Sequence, residues 1–560
     1  MNAIPKVVAW PALIASVALM IVTFGTGSDS HQVVTEAPME TTTTTTPLVI
    51  ALAPDQASSA EEWRFLNGST TTTTEVAEPP STAEGEEPET NEDEQPDDEQ
   101  LSTDAGDEDA PQESATAASE SASQEESSSA DDQTSEQSSA TEQAAATQPL
   151  PTQSPTEPDT DRSTFYVSPS GNDSNDGQTR NTPWRNLQDA LDRLRPGQTL
   201  YLMGGVYDGN SQYAVPPAHW AIRRSGTPTA WITVAAAPGE RPVLQPTKGH
   251  AIEVLNAQYI EVSGLTIAGK GFAKDINDYG WGVMVRNSHH VRVVGNEVTG
   301  MPYGGISAIG SDRFELIGNR VHHNSYWGPG QGSGISVWRP KSHGTGSFSD
   351  GYHIRIIGNM SYSNENKVYA PKEWYPDRNV MTDGNGIIFD EGRHHGYSSR
   401  VLIANNLLFD NGGRGVNVTK SSNVDVVHNT TYYNGKTKTL STPGTEISTT
   451  RSQNVRFLNN FCVSRPGLVE IMLSDAQNWT ARGNVFVTDN HNSKVKDGNH
   501  FVYSGPGFVN GSTDGGAANF ELTSSSPALN RGVSGAPVGV DRLGRRRNAS
   551  NPDAGAYERD

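Results

Sequence analysis

Three carboxylates stand close together in the segment Thr382–His395, which reads TDGNGIIFDEGRHH: Asp383, Asp390 and Glu391. Hard oxygen donors crowded in this way suit Ca²⁺. An acidic turn opened by Asp383 accounts for the same residues without a metal. The segment ends in His394-His395, and His394 can hold a proton or touch a ligand. Lys420 and Arg451 follow further along the chain, and Trp338, Arg339 and Lys341 precede it. A carboxylate, a lysine and an arginine brought to one place suit abstraction of a proton next to a carboxylate. A cation neutralises that carboxylate, and an amine crowded by other cations takes the proton. Unpaired surface charge is the alternative for each residue taken singly.

Bringing residues 339, 391, 420 and 451 together requires a repeating fold, and the sequence contains one. Short β-rich runs recur, each closing on Asn: VRVVGN at Val291–Asn296, FELIGN at Phe314–Asn319, IRIIGN at Ile354–Asn359, VLIANN at Val401–Asn406, VDVVHN at Val424–Asn429 and VRFLNN at Val455–Asn460. The closing Asn residues, with Asn484 from a weaker copy, are 23, 40, 47, 23, 31 and 24 apart. The base period is therefore near 23, with insertions in three coils. Alternation within each run places Val291, Val293, Phe314, Leu316, Ile354 and Ile356 inward, and Arg292, Glu315 and Arg355 outward. A short coil of period-two strands predicts a parallel β-helix. The closing Asn is expected to take the left-handed corner and to stack its amide on the next coil.

A second strand precedes each of these runs: GISAIG at Gly305, GISVWR at Gly334, GIIFDE at Gly386, GVNVTK at Gly415 and EISTTR at Glu446. We call it the cleft strand. Parallel strands stack about 4.8 Å apart, so one outward column is Ile309, Trp338, Asp390, Thr419 and Thr450. The next is Gly310, Arg339, Glu391, Lys420 and Arg451. The insertions Lys341–Asp350, Glu365–Thr382, Gly392–Ser399 and Lys436–Thr445 fall around this strand and would wall a groove. Arg339, Lys341, Arg414 and His394 are candidate ligand-binding residues there. Trp338, Trp327 and Trp374 offer flat faces. The pairs His289-His290 and His322-His323 sit at coil corners and read as structural.

Composition divides the chain. Residues 1–163 hold 33 of the 66 acids and 3 of the 41 bases, a net of −30, which leaves +5 for the remainder. Residues 1–33 contain Lys6 and the apolar run Trp10–Gly25, the pattern of a signal peptide or an uncleaved anchor. Residues 34–163 are rich in Thr, Ser and Glu and cannot bury enough apolar surface to order, so a disordered acidic linker is expected. It serves as a spacer or an O-glycosylated stalk. Secretion or surface display follows, with a tether to membrane or cell wall through the N-terminus, and a monomer is expected. The single Cys462 rules out a disulfide scaffold and a Cys-based zinc site. A domain of net +5 without clustered bases lacks the footprint of a nucleic-acid binder.

Residues 164–560 form the folded domain. Its opening, TFYVSPSGNDSNDGQTRNTPWRNLQDALDRLRPGQTLYLMGGVY, places apolar residues at 184, 187, 190, 191 and 194, the spacing of a helix capping the first coil. This opening, with SPALNRG at Ser526 and DAGAYE at Asp553, resembles secreted right-handed parallel β-helix proteins. Among them are polysaccharide lyases of the alginate lyase/chondroitinase B type and of the calcium-dependent pectate lyase type. The resemblance implies cleavage of an anionic, uronic-acid-containing polysaccharide by β-elimination, with Lys420 as base, Arg451 as charge neutraliser or acid, and Ca²⁺ on Asp383, Asp390 and Glu391. Since this fold hosts many activities, two other readings stand beside it. One is a glycoside hydrolase using two of these carboxylates; the other is a non-catalytic carbohydrate-binding or adhesin protein.

Overall fold

The structure, a computed structural model, describes residues 163–559 apart from 210–217, 270–273, 275, 277 and 344–350. It also gives the backbone of two short strands, Thr43–Pro47 and Ser69–Thr73. The expected leader and anchor, and the rest of the acidic linker, lie outside the described residues. Among the described residues no helix is long and apolar enough to cross a membrane.

Branched apolar residues at every second position favour strands with one buried face. Here they wind into a right-handed parallel β-helix of three sheets, with 11, 11 and 9 strands. One coil shows the plan: cleft strand Ile387–Asp390, second strand Arg400–Ala404, third strand Leu407–Phe409. The recurring runs are the second strands. They pair in register, Val291 with Phe314, Phe314 with Ile354, Ile354 with Val401, Val401 with Val424 and Val424 with Val455. All six are buried in one continuous core with Ile335, Val337, Ile387, Phe389, Val416 and Val418 of the cleft strands. The outward charges of this sheet pair across coils: Glu315 accepts from Arg292 at 2.8 Å and from Arg355 at 2.9 Å. The expected cap is the helix Leu187–Arg193, opened by Asn186, whose side chain accepts from Gln188 N and Asp189 N.

The corner asparagines stack. Nδ2 of Asn296, Asn319, Asn359, Asn406, Asn429 and Asn460 each donates to Oδ1 of the next Asn along the rod, at 2.9–3.1 Å, and Asn484 donates in turn to Asn499 at 2.7 Å. The left-handed position, however, is the residue before: Gly295, Gly318, Gly358, Asn405, His428, Asn459 and Gly483 have φ between 53° and 67°. The Asn itself points its amide inward along the stack, so turning and stacking are divided between two adjacent residues. A second ladder, not anticipated from the sequence, runs through Asn324, Asn364, Asn411 and Asn434 at 2.9–3.0 Å. Each of these lies five residues after a first-ladder Asn, as in NRVHHN and NMSYSN, and that spacing was its signal. It ends on Glu446, whose Oε2 accepts from Asn434 Nδ2 at 2.6 Å.

Both ladders are buried, so each amide lost leaves donors without partners. Asn406 accepts from the N and Nδ2 of Asn359 and donates to Asn429 and to the Ile356 carbonyl. Asn406→Ala is expected to lower the unfolding free energy by about 2–4 kcal/mol, measured by denaturant titration; a loss under about 0.5 kcal/mol would show that the ladder is not a stabilising element.

Candidate functional site

The two predicted columns are present. Ile309, Trp338, Asp390, Thr419 and Thr450 pair strand to strand on the outer face of the cleft sheet. The residues after them, Gly310, Arg339, Glu391, Lys420 and Arg451, all occupy the left-handed region, with φ from 46° to 58°. Their backbones are registered coil to coil: Arg339 N donates to Asp390 O at 3.1 Å, Glu391 N to Thr419 O at 3.2 Å, Lys420 N to Thr450 O at 2.8 Å and Arg451 N to Ser474 O at 2.9 Å. Coils on either side carry turn-forming residues at this corner, Asn256, Asn287 and Gly310 before and Asp475 after, also at positive φ. Four successive coils thus place long charged side chains where small turn residues fit with less strain.

These side chains meet. Glu391 Oε2 accepts from Arg339 Nε at 2.5 Å, Glu391 Oε1 accepts from Lys420 Nζ at 3.1 Å, and His395 Nε2 lies 3.4 Å from Oε2. Burial alone would raise the Glu391 pKa, but the hydrogen bonds and charges of Arg339 and Lys420 outweigh it and bring it down to about 2. The Arg339 guanidinium also lies over the Trp338 ring, 4.3 Å from its centroid. Arg451 continues the column one coil beyond Lys420 and is exposed. Lys341 and His394 are exposed beside the corner, His394 in the short 3₁₀ helix Arg393–His395.

Asp390 faces outward beside Trp338, with its Oδ1 buried and without a hydrogen-bond partner among the described residues. Burial, then the charges of Asp383 and Glu391, push its pKa up to about 8. Burial raises Asp383 to about 7 against the nearby Arg414. The three carboxylates are therefore not one ligand set. Both Glu391 oxygens face cations, and Asp383 turns to Asn385 and Arg414 near the opposite edge of the cleft strand. Among the described residues no three His, Cys, Asp or Glu side chains gather as a metal cluster would need. The expected calcium trio does not fit. Arg414 also departs from expectation: it is 6% exposed, with Nη2 3.5 Å from Pro443 O, and it is not presented to a ligand.

The loops fall where the insertions placed them. Glu365–Thr382 and Lys436–Thr445 flank the entry edge and are joined through Met381 and Ser441, each donating its backbone N–H to the other residue, at 3.1 and 2.8 Å. Thr437 Oγ1 donates to Glu365 Oε1 at 2.8 Å. Trp374, Tyr375 and Tyr369 of the first loop are exposed, whereas Trp327 is half-buried. At the other edge the anchor is Asp312, which sequence reasoning missed. It is fully buried and accepts from the Tyr397 hydroxyl at 2.7 Å and from His343 N at 3.2 Å. One carboxylate thus holds a residue from each of the two segments that follow the charged corner, His343 and Tyr397. His289-His290 and His322-His323 sit at their corners as expected, with φ of 53° at His290 and 55° at His323.

An acid raised in the folded state binds its proton more tightly there than in the unfolded chain. Asp390 therefore contributes stability in full below about pH 4 and loses it as pH rises through about 8. Asp390→Asn is expected to flatten the fall in melting temperature between pH 5 and 8, by a few degrees. Thermal unfolding with chelator present tests this; an unchanged pH slope would contradict the burial of Asp390.

Residues 165–454 match the sequence model of a family described as Pel9A-like, right handed beta helix region. No curated protein matches the chain. Among solved structures, pectate lyase Pel9A is similar at 20% identity, over 71% of this chain and 96% of that one, with a TM-score of 0.37. A rhamnogalacturonan lyase is similar at 16% identity, over 64% and 96%, with a TM-score of 0.41. An alginate lyase from Paenibacillus sp. str. FPU-7 is similar at 15% identity, over 53% and 95%, with a TM-score of 0.30.

Proposed function

Because the chain belongs to the Pel9A-like right-handed β-helix family, we propose that it is a secreted or surface-tethered polysaccharide lyase that cleaves a uronic-acid-containing polymer by β-elimination. The observation that carries this reading is the charged corner column, in which Arg339, Glu391, Lys420 and Arg451 replace turn residues on four consecutive coils. Elimination asks for two things that such a ridge supplies. The uronate carboxylate must be neutralised so that the C5 proton becomes acidic, and a base must take that proton.

In this reading Lys420 acts as the free amine: the N–H that it donates to Glu391 orients it, and its nitrogen lone pair takes the C5 proton. The electron pair of the broken C5–H bond forms the C4–C5 double bond as the C4–O4 bond breaks. The departing oxygen takes a proton from water, and the cation of Arg451 meets its charge. Trp338 and the exposed aromatic residues of the Glu365–Thr382 loop offer faces to neighbouring sugar rings. An acidic linker ahead of the domain would hold it away from the surface to which the N-terminus is tethered.

The test is ultraviolet absorbance of unsaturated product when the purified chain is mixed with pectin, alginate, chondroitin and neutral glycans. One or more of the uronate polymers is expected to give it, and Lys420→Ala to lower the rate by about 10²–10⁴-fold. Turnover that survives Lys420→Ala would remove the base from Lys420. Saturated products would make the chain a hydrolase, and binding without turnover a carbohydrate-binding protein.

A further inference from the structure

We infer that Arg339 is the group that receives the substrate carboxylate, so that in this chain its guanidinium does the charge neutralisation for which the sequence offered Arg451 or calcium. The inference rests on the lyase reading above and deepens it.

Arg339 is held on three sides. Its backbone N–H donates to Asp390 O at 3.1 Å, its Nε donates to Glu391 Oε2 at 2.5 Å, and its guanidinium lies 4.3 Å from the centroid of the Trp338 ring. The two terminal nitrogens, Nη1 and Nη2, have no partner among the described residues, and the side chain is 39% exposed. What remains open is one edge of a planar fork, already oriented, with parallel N–H groups. That edge is the bidentate complement of a carboxylate. Because the fork is fixed before binding, little side-chain entropy is lost when the ligand arrives.

The same contacts work against a cation at this corner. Calcium takes six to eight oxygen ligands. Glu391 already has each of its oxygens engaged by a basic side chain, Arg339 on one and Lys420 on the other, and the Arg339 charge opposes a second cation there. Asp383 and Asp390 remain, and no third acid or imidazole joins them among the described residues. Glu391 instead acts as a spacer. Its two oxygens hold Arg339 on one side and Lys420 on the other, two rungs apart, about 10 Å along the column. A carboxylate seated on the Arg339 fork would then present the ring that bears it toward Lys420. The ligand class follows: an anionic sugar with a carboxylate on the ring, in preference to neutral or sulfated glycans.

The experiment compares the full chain with Arg339→Asn and Arg339→Lys, with and without chelator. Asn is native at this corner in two earlier coils, Asn256 and Asn287, so the first variant keeps the turn. Wild-type turnover of the uronate polymer is expected to stay within about twofold in EDTA, and millimolar CaCl₂ to leave the melting temperature unchanged. Arg339→Asn should lose at least about tenfold in kcat/KM, unrestored by CaCl₂, and Arg339→Lys should recover part of it. Loss of turnover in EDTA with restoration by CaCl₂, or full activity in Arg339→Asn, would overturn the inference. If the wild type forms no unsaturated product, the lyase reading fails separately. Calorimetric titration of a saturated oligouronide in EDTA then decides for Arg339. Binding that is weakened in Arg339→Asn supports the clamp, and binding that is unchanged in the variant, or undetectable in the wild type without calcium, overturns it.

Discussion

The buried amide ladders fix how coils register, and everything on the outside of the rod inherits that registration. In the first ladder each corner asparagine presents its oxygen to one neighbouring coil and its nitrogen to the other, inside a core where no water can substitute. A slip of one residue would turn inward-facing valines outward and leave amides unpaired at the same time. Insertions of 17 and 24 residues are absorbed between rungs because the amides on either side still meet: Asn319 bonds Asn359, and Asn359 bonds Asn406. Loop length can therefore vary freely while the position of each outward side chain stays set to within one strand spacing.

That separation of tasks explains the site. The strands supply a flat, regular face on which residues 52 and 29 apart in sequence become neighbours, as Arg339, Glu391 and Lys420 do. The insertions fall on either side of the cleft strand without disturbing the rungs. At one edge two loops are joined through Met381 and Ser441, and at the other His343 and Tyr397, from two different segments, are fastened to Asp312. The charged corner lies between them. Glu391 links the groups around it, its two oxygens joining Arg339 and Lys420 from the adjacent coils.

The sequence made the columns legible because two periods act together. Alternation within a strand says which side chains face out, and the recurring Asn says which strands are equivalent. Trp338, Asp390, Thr419 and Thr450 followed from those two facts alone. Three features were out of reach for a physical reason. Arg414 is buried by how loops close over the entry edge, which no local pattern encodes. The dispersal of the three carboxylates depends on which partner each finds: Glu391 is next to Asp390 in the chain, yet it turns toward cations on the adjacent coils. Asp312 begins an ordinary strand, and its role comes from a tyrosine 85 residues away. The second ladder, by contrast, was written in the five-residue spacing of its asparagines. The single-residue error over the left-handed corner came from assigning two jobs to one Asn.

The left-handed backbone beneath the charged column has an evolutionary consequence. A β-branched side chain at positive φ clashes with its own main chain, whereas Gly, Asn, Asp and unbranched residues are accommodated. Valine, isoleucine and threonine are thereby barred from positions 339, 391, 420 and 451 whatever the ligand. Divergence of this face must draw on a small vocabulary of flexible or compact side chains, many of them ionic or amide-bearing. A scaffold with such sockets drifts easily from one charge pattern to another while its interior stays as it is, so a few changed letters along a single ridge rewrite the outer face and leave the rungs alone.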